Sequence, residues 1–382
     1  MSFLPHSLTA KIGALFFSLY SLLGWNIQQT PVLPYPASTS SVSVTTSTPS
    51  IYLQKENTPT VAKNNTSLPY LQIVAPDFEQ LPLAKAPVQA PTTPTKPTTP
   101  TQPVTPPLVA TQSGINQSVV NIFCSSRNGN TITFVTGSGS IVDPKGIIIT
   151  NSHVAQYVLL SDYYNDSTHT CVARTGSPAH ATYKIKVLHL SYQWIQNNLH
   201  TIAESNPQGT GQYDYAFLAI VGSVSGSLPS SFPYIPIDTS TLLPQDSISV
   251  TGYPAGEDSA DTVNNNLIQQ SANVSVANVY TFPGDNATDV IVTSPTILAQ
   301  KGSSGGAIIK DGMLDGIVST SVSTGGQNNS VSAITTSYIS RDLLSSEGES
   351  LSALFSGDPI QGATNYENNG GFNLAKQLIS SN

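Results

Sequence analysis

The fold of this chain is restricted most by a series of short segments rich in β-branched residues, found throughout residues 113–356. In chain order they read SVVNIFC, TITFVTG, GSIV, GIIIT, YKIKVLHL, YAFLAIV, SISVTG, VIVTS, GAIIK and DGIVSTSV. Turn signals separate them, and in DPKG, residues 143–146, proline stands second and glycine fourth, as a type I turn prefers. Short strands divided in this way predict an all-β barrel or sandwich.

Helical signals are confined to the end of this region. In TSYISRDLL, residues 336–344, a Thr or Ser cap precedes Ile339, Leu343 and Leu344 at helical spacing, which predicts a short C-terminal helix. Residues 357–382 are rich in Asn and Gly and too few for another domain, so we expect a flexible tail there.

An uncharged apolar stretch, residues 12–25, follows Lys11 near the N-terminus. It is shorter than the about 20 residues that a membrane-spanning helix needs and fits the core of a secretory signal better. No clear A-x-A cleavage site follows, so we expect residues 1–27 to be either a signal peptide or a retained membrane anchor; a buried core helix is the third alternative. Since the positive charge precedes the apolar stretch, the remainder is predicted to be extracytoplasmic, secreted or membrane-anchored.

Residues 28–112 have the composition of a linker rich in Pro, Thr and Ser. Within them, residues 86–107 place a proline at about every third position, which favours a semi-rigid polyproline II spacer of about 3.1 Å per residue. The more apolar residues 67–85 either dock on the folded domain or remain part of an unstructured linker. The folded domain is therefore predicted to span residues 113–356.

Charge and cysteine content exclude some classes of partner. The formal net charge is −8 at pH 7, so no basic surface is available to meet the phosphates of a nucleic acid. Two cysteines are too few for a disulfide framework, and the CxxC pairs of a zinc site are absent. His169 and Cys171 resemble a metal pair only superficially, because further ligands are missing. We predict no metal, no cofactor and no nucleic-acid partner.

The two cysteines allow two states. Cys124 ends a predicted strand, and Cys171 lies in THTCVAR, beyond the segment that contains His153. Outside the cytoplasm they either pair and clamp the N-terminal half of the fold, or remain two buried thiols.

The stretch QKGSSGGAII, residues 300–309, holds the candidate nucleophile. A serine hydroxyl is a poor nucleophile at neutral pH and needs a base within hydrogen-bond reach, itself oriented by an acid. If Ser304 attacks, the glycines allow a tight turn, and the amides of Gly302 and Ser304 form an oxyanion hole. Taken alone, this pattern more often marks a Ser/Gly turn that joins two strands.

Two further residues are candidates for the base and the acid. His153 follows a hydrophobic strand and opens NSHVAQYVLL, which predicts a short helical turn; none of the other histidines has such a setting. Asp214 begins an apolar strand in QYDYAFLAIV. Each residue alone is typical of a structural role. In the order His, Asp, Ser, each at the edge of a strand, they form a candidate catalytic set.

With these motifs the sequence resembles the chymotrypsin-like serine proteases, and most closely the HtrA/Deg branch. GSGSIV followed by GIIITNSHV is similar to that branch's glycine-rich strand, hydrophobic strand and T-N-x-H-V. DYAFL resembles its D-x-A-x-L element, GSSGGAII its G-N-S-G-G-A/P element, and DGIVSTSV the strand that lines the substrate channel. The resemblance runs from about Ser118 to Leu344. It implies two six-stranded antiparallel β-barrels with the site in the cleft between them.

The resemblance also implies the role of each residue. Ser304 attacks the scissile carbonyl, His153 takes its proton and returns it to the leaving amine, and Asp214 holds the imidazole in the useful tautomer. Ser303 stands where the family usually has Asn or Asp, and Tyr215 where an aliphatic residue is more usual; neither departure is expected to abolish the chemistry. HtrA relatives usually carry PDZ domains, for which we find no room in this sequence.

A substrate pocket follows from the same resemblance. In this fold its floor lies about six residues before the nucleophile and its walls come from the next strand, which here gives Leu298, Ala299, Ser319, Thr320 and Ser321. None of these is a carboxylate that would meet Arg or Lys. We therefore expect cleavage of polypeptide substrates after small or medium apolar residues.

Two alternatives to a peptidase stay open at this point. One is a catalytically inactive trypsin-fold binding module at the end of a surface stalk. The other is a purely structural surface protein, which the Thr/Pro-rich linker alone suggests.

Overall fold

The computed structural model describes residues 112–128, 131–200, 209–256, 258–283, 287–323 and 329–381. The predictions for the N-terminal segment 1–27 and for the linker, apart from its last residue Gln112, lie outside these residues. In the described part of the chain, no helix is both long enough and apolar enough to cross a membrane.

Six antiparallel strands close the first barrel, in the order β1-β2-β3-β6-β5-β4. A short helix, α1 (Gln112–Ser118), leads into it. The strands are β1 (Val119–Asn128), β2 (Thr131–Asp143), β3 (Ile147–Thr150), β4 (His169–Thr175), β5 (His180–Leu190) and β6 (Ala216–Ser223).

The second barrel is likewise closed, in the order β10-β11-β12-β9-β8-β7. Its strands are β7 (Ser247–Gly252), β8 (Gln270–Tyr280), β9 (Val290–Thr293), β10 (Ala307–Lys310), β11 (Met313–Val322) and β12 (Ser330–Thr335). The expected pair of six-stranded antiparallel barrels is thus confirmed.

Helices fill the connections and the C-terminal region. They are α2 (Ser152–Tyr164), α3 (Tyr192–Asn197), α4 (Ala260–Asn265), α5 (Thr336–Glu347) and α6 (Leu351–Ser356). The predicted C-terminal helix is α5, and its cap is Thr335, whose side chain accepts the Tyr338 N–H. It ends at Gly348, which adopts φ 71°, a conformation that glycine takes without a steric penalty.

The expectation of a flexible tail over residues 357–382 is wrong. Two helices, α7 (Pro359–Tyr366) and α8 (Phe372–Ser380), flank a π-helical turn, Glu367–Gly371. α7 packs on β5 and β6, and α8 packs on α2. Leu374, Ala375 and Leu378 of α8 are buried. Their spacing places them on one helical face, and burying that face in the first barrel's hydrophobic cluster outweighs the low helix propensity of Asn and Gly.

A disulfide joins the two cysteines. Cys124 of β1 and Cys171 of β4 are direct cross-strand partners, and their sulfur atoms are bonded. Of the two states that the sequence allowed, the structure contains the bridge, which links two neighbouring strands of the first barrel.

Arg174 ties the two barrels together away from the cleft. It extends from β4, is 3% exposed, and its guanidinium lies 4.2 Å from the centre of the Phe123 ring. Its Nε donates to Asn121 Oδ1 at 2.7 Å, and its two terminal nitrogens donate to the Asn264 and Val263 carbonyls at 3.0 Å each. These carbonyls belong to the last turn of α4, where a cation also complements the helix dipole. Arg174 therefore fastens a segment of the second barrel to the first.

We expect Arg174→Met to lower the free energy of unfolding by about 3 kcal/mol, since two buried acceptors and one part-buried acceptor lose their donor at about 1 kcal/mol each. Arg127→Met is the matched control, because Arg127 is an exposed arginine of β1 and should change stability by less than about 0.5 kcal/mol. Denaturant titration of both variants measures the difference. Equal losses would show that Arg174 does not fasten the interface.

Candidate active site

His153 and Asp214 are brought together by the pairing of β3 with β6. Thr150, the last residue of β3, lies opposite Ala216, the first of β6. His153 is therefore placed in the first turn of α2 beside Asp214. Its Nδ1 lies 2.8 Å from Asp214 Oδ2, and its backbone N–H donates to Oδ1 at 3.0 Å. With Nδ1–H held by the carboxylate, Nε2 is the ring nitrogen left with a free lone pair.

Other hydrogen bonds fix the position of Asp214. The Asn151 side-chain amide donates to the Asp214 carbonyl at 2.9 Å, and the Ser152 hydroxyl donates to the Tyr215 carbonyl at 2.6 Å. The Ser319 hydroxyl donates to Asp214 Oδ2 at 3.1 Å. The Asp214 side chain is 7% exposed, whereas the His153 side chain is 34% exposed. The arrangement is a buried acid that orients a base facing the cleft.

Ser304 reaches this pair from the second barrel. Its hydroxyl donates to the Ser319 carbonyl at 3.4 Å, so Ser319 contacts both Ser304 and Asp214. In this structure the hydroxyl bonds to Ser319 and makes no hydrogen bond to His153. The three candidate residues thus meet at one place, with the serine turned towards β11.

The two predicted oxyanion amides are oriented by the carbonyl groups that precede them. The Lys301 carbonyl accepts the Ala255 N–H at 2.7 Å, and the Ser303 carbonyl accepts the Gly306 N–H at 2.8 Å. In a trans peptide the N–H points opposite to the carbonyl, so the Gly302 and Ser304 N–H groups face away from these partners. Neither N–H donates to any residue that the structure describes. Both remain available to a developing oxyanion.

Ser138 of β2 attaches the loop that carries Ser304 to the first barrel. Its N–H donates to the Ser304 carbonyl at 2.7 Å, and its hydroxyl donates to the Gly302 carbonyl at 2.8 Å. The approach requires glycine at 305, which has φ +82° and where a Cβ would lie 2.0 Å from the Ser138 carbonyl oxygen. On the other side, a Cβ at Gly137 would lie 2.8 Å from Cγ2 of Val154, next to His153.

The five predicted pocket residues occupy different environments. Leu298 is fully buried in the hydrophobic core of the second barrel, and Ala299 is 7% exposed beside it. Ser319 is buried against Asp214 and Ser304, whereas Thr320 and Ser321 are exposed on β11. Ser319 therefore supports the candidate acid as well as bordering the cleft, a contact that the sequence prediction missed.

Residues 137–317 match the family model of the trypsin-like peptidase domain. The match begins at the glycine that packs on Val154 and ends beyond Ser304, so it includes all three candidate residues. Over these residues the chain is similar to a trypsin-like peptidase domain. No curated protein matches the chain.

Three residues support the site, of which Ser138 and Asn151 were not predicted as parts of it and Ser319 was predicted only as a pocket residue. Ser138, Asn151 and Ser319 each donate a buried hydrogen bond that positions Asp214 or the Ser304 loop. A signal existed for the first two, since Ser138 lies between two glycines of a β-branched strand and Asn151 lies two residues before His153. For Ser319, only the contact itself reveals the role.

The charge of Asp214 sets the protonation of His153. Burial by itself lowers the pKa of His153, but the Asp214 carboxylate, through its charge and its hydrogen bond, raises that pKa above the ordinary value of 6.5. A base must be unprotonated to accept the serine proton. Because the pKa is raised, His153 loses its unprotonated form, the form that can accept a proton, as the pH falls through a value above 6.5.

We expect the rate at which Ser304 reacts with a fluorophosphonate to fall as the pH is lowered, with a midpoint above pH 6.5, because protonated His153 cannot act as a base. Labelling rates between pH 5 and pH 9 give the midpoint, and NMR titration of the His153 ring provides an independent value. A midpoint below pH 6.5 in both measurements would contradict the influence of Asp214.

Proposed function

We propose that this protein is a serine endopeptidase that hydrolyses peptide bonds through an acyl-enzyme. The observation that carries the proposal is the His153–Asp214 hydrogen bond at 2.8 Å, with Ser304 attached to the same Asp214 through Ser319. A base already oriented by a buried acid, beside a serine with two free amides around it, is the set of groups that acyl transfer requires.

Each group has one step in the reaction. Ser304 Oγ attacks the substrate carbonyl while His153 Nε2 takes its proton, and the oxyanion is stabilised by the N–H groups of Gly302 and Ser304. His153 then gives the proton to the leaving amine, which departs and leaves an ester at Ser304. Water, deprotonated by the same imidazole, hydrolyses that ester. Asp214 keeps Nδ1 protonated and stabilises the imidazolium throughout.

The cellular setting belongs to the same proposal. We infer an exported enzyme, secreted or anchored through residues 1–27, on a Pro/Thr-rich tether, and similar to the HtrA/Deg branch. The Cys124–Cys171 disulfide supports export, because disulfides persist mainly in oxidising compartments and both cysteines of the chain are used in it.

One observation favours a second candidate function, a catalytically inactive binding module on the same stalk. The Ser304 hydroxyl donates to the Ser319 carbonyl instead of to His153. Catalytic hydrogen bonds are often long or misaligned without substrate and tighten only in the complex, so this geometry is also compatible with catalysis. Reactivity of the serine separates the two functions.

We expect a fluorophosphonate probe to label the wild-type protein and not Ser304→Ala, and peptide turnover to fall about 10⁶-fold in that variant, because the nucleophile is removed. Ser303→Ala is the matched control, since it removes the neighbouring hydroxyl, which is buried and without a hydrogen-bond partner in the described part of the chain. It should keep both labelling and turnover. An unlabelled wild-type protein would favour the binding module.

We expect cleavage after small or medium apolar residues, because no carboxylate is present at Leu298, Ala299 or residues 319–321 to attract a cationic side chain. Mass spectrometry of a peptide library digested with the wild-type protein, with the Ser304→Ala protein as the blank, measures the preference. Cleavage mainly after Arg or Lys would contradict this placement of the pocket.

A further inference from the structure

The loop that carries Asp214 is attached to α5 through two tyrosine hydroxyl groups. The Tyr213 N–H donates to Tyr338 Oη at 3.0 Å, and Tyr215 Oη donates to Asp342 Oδ2 at 2.8 Å. Tyr338 and Asp342 are four residues apart on α5 and therefore lie on the same face of the helix. The residues on either side of Asp214 are thus held by one rigid element from outside the cleft.

The loop needs an external support because its backbone is tightly folded. Tyr213 has φ +62°, a left-handed conformation that is unfavourable for a bulky residue. The Asp214 N–H donates to the Gly211 carbonyl, and the Tyr215 N–H donates to the Tyr213 carbonyl. The Tyr213 N–H takes its acceptor from α5 instead of from the loop. The conformation that directs Asp214 to His153 is therefore stabilised partly by Tyr338.

The side chains that form these hydrogen bonds are buried. Tyr215 is fully buried, and Tyr338 and Asp342 are 5% and 7% exposed. Asp342 also accepts the Ser346 hydroxyl at 2.9 Å, so its second oxygen has a donor as well. In a low-dielectric environment these hydrogen bonds are stronger than in water, and losing one leaves a costly unsatisfied group.

We propose that Tyr215 and Tyr338 are positioning residues that hold the Asp214 carboxylate in place against His153, and this proposal rests on the peptidase function proposed above. Their hydroxyl groups act through the Gly211–Tyr215 loop, whereas the groups that bond to Asp214 itself come from Asn151, His153 and Ser319. Tyr215 stands where the family that the sequence resembles more usually has an aliphatic residue. Its hydroxyl connects the loop of Asp214 to α5.

The first experiment compares Tyr215→Phe with Tyr253→Phe. Tyr253 is also fully buried and its hydroxyl also donates at 2.8 Å, but to the Gly176 carbonyl, away from the Asp214 loop. We expect Tyr215→Phe to lower kcat about 10-fold with little change in KM, because a misplaced acid weakens the base without affecting substrate binding. The Tyr253→Phe protein should retain the wild-type kcat.

The second measurement does not depend on turnover. His153 is titrated by NMR in the Ser304→Ala background, with and without Tyr215→Phe. A displaced Asp214 interacts less with the imidazolium, so the pKa of His153 should fall towards 6.5 in the Tyr215→Phe protein. Asp342→Leu should lower the pKa of His153 in the same way, because it removes the acceptor of the Tyr215 hydroxyl. Asp342→Asn keeps an oxygen that can accept this hydroxyl, so it should leave the pKa of His153 close to its wild-type value.

The outcomes separate the two proposals. If Tyr215→Phe leaves kcat and the His153 titration unchanged and only lowers Tm as much as Tyr253→Phe does, the positioning role is overturned. If the wild-type protein shows no turnover but the His153 titration shifts in Tyr215→Phe, the peptidase function fails and the positioning of Asp214 stands.

Discussion

The candidate site exists only where the two barrels meet, and the contacts of Ser138 hold them together at that place. His153 and Asp214 come from the first barrel and Ser304 from the second, so neither barrel contains the set alone. Ser138 donates to the carbonyls of Gly302 and Ser304 and accepts the Tyr253 N–H. Each of these hydrogen bonds contributes about 0.5–1.5 kcal/mol to keeping the barrels together. The distance between nucleophile and base is therefore a property of the interface between the barrels.

Two strands of the first barrel were predicted directly from continuous apolar runs. β3, with four buried residues, and β6, buried over Ala216–Ile220, are continuous apolar runs that leave little choice of structure. The segments TITFVTG and GSIV, by contrast, form one strand, β2. Its glycines mark close packing rather than a turn, because a Cβ at Gly139 would lie 2.8 Å from Ile148 Cγ2.

The sequence analysis did not reveal β4, β8 and β12, and it underestimated the helix that contains His153. β8 reads QSANVSVANVY and fully buries only Val276, while its other apolar residues are small or partly buried, so pairing with β7 and β9 contributes much to its placement. The short turn predicted at NSHVAQYVLL is a 13-residue helix whose residues Val154 to Leu160 are all buried. A helix covered by a barrel on one side and by α8 on the other shows no polar face to identify it.

Sequence prediction is limited in the same way at the site. Motifs identify the candidate reactive residues, whereas the residues that hold them in place are recognised only in the folded structure. Buried polar groups such as Asp342, Tyr215 and Tyr338 are costly, and apolar residues of similar size often replace them without loss of stability. A fold that served only to bind a partner would have no need of a buried acid supported from three sides. The concentration of satisfied polar groups around Asp214 therefore favours a site in which the orientation of His153 matters, as it does in proton transfer.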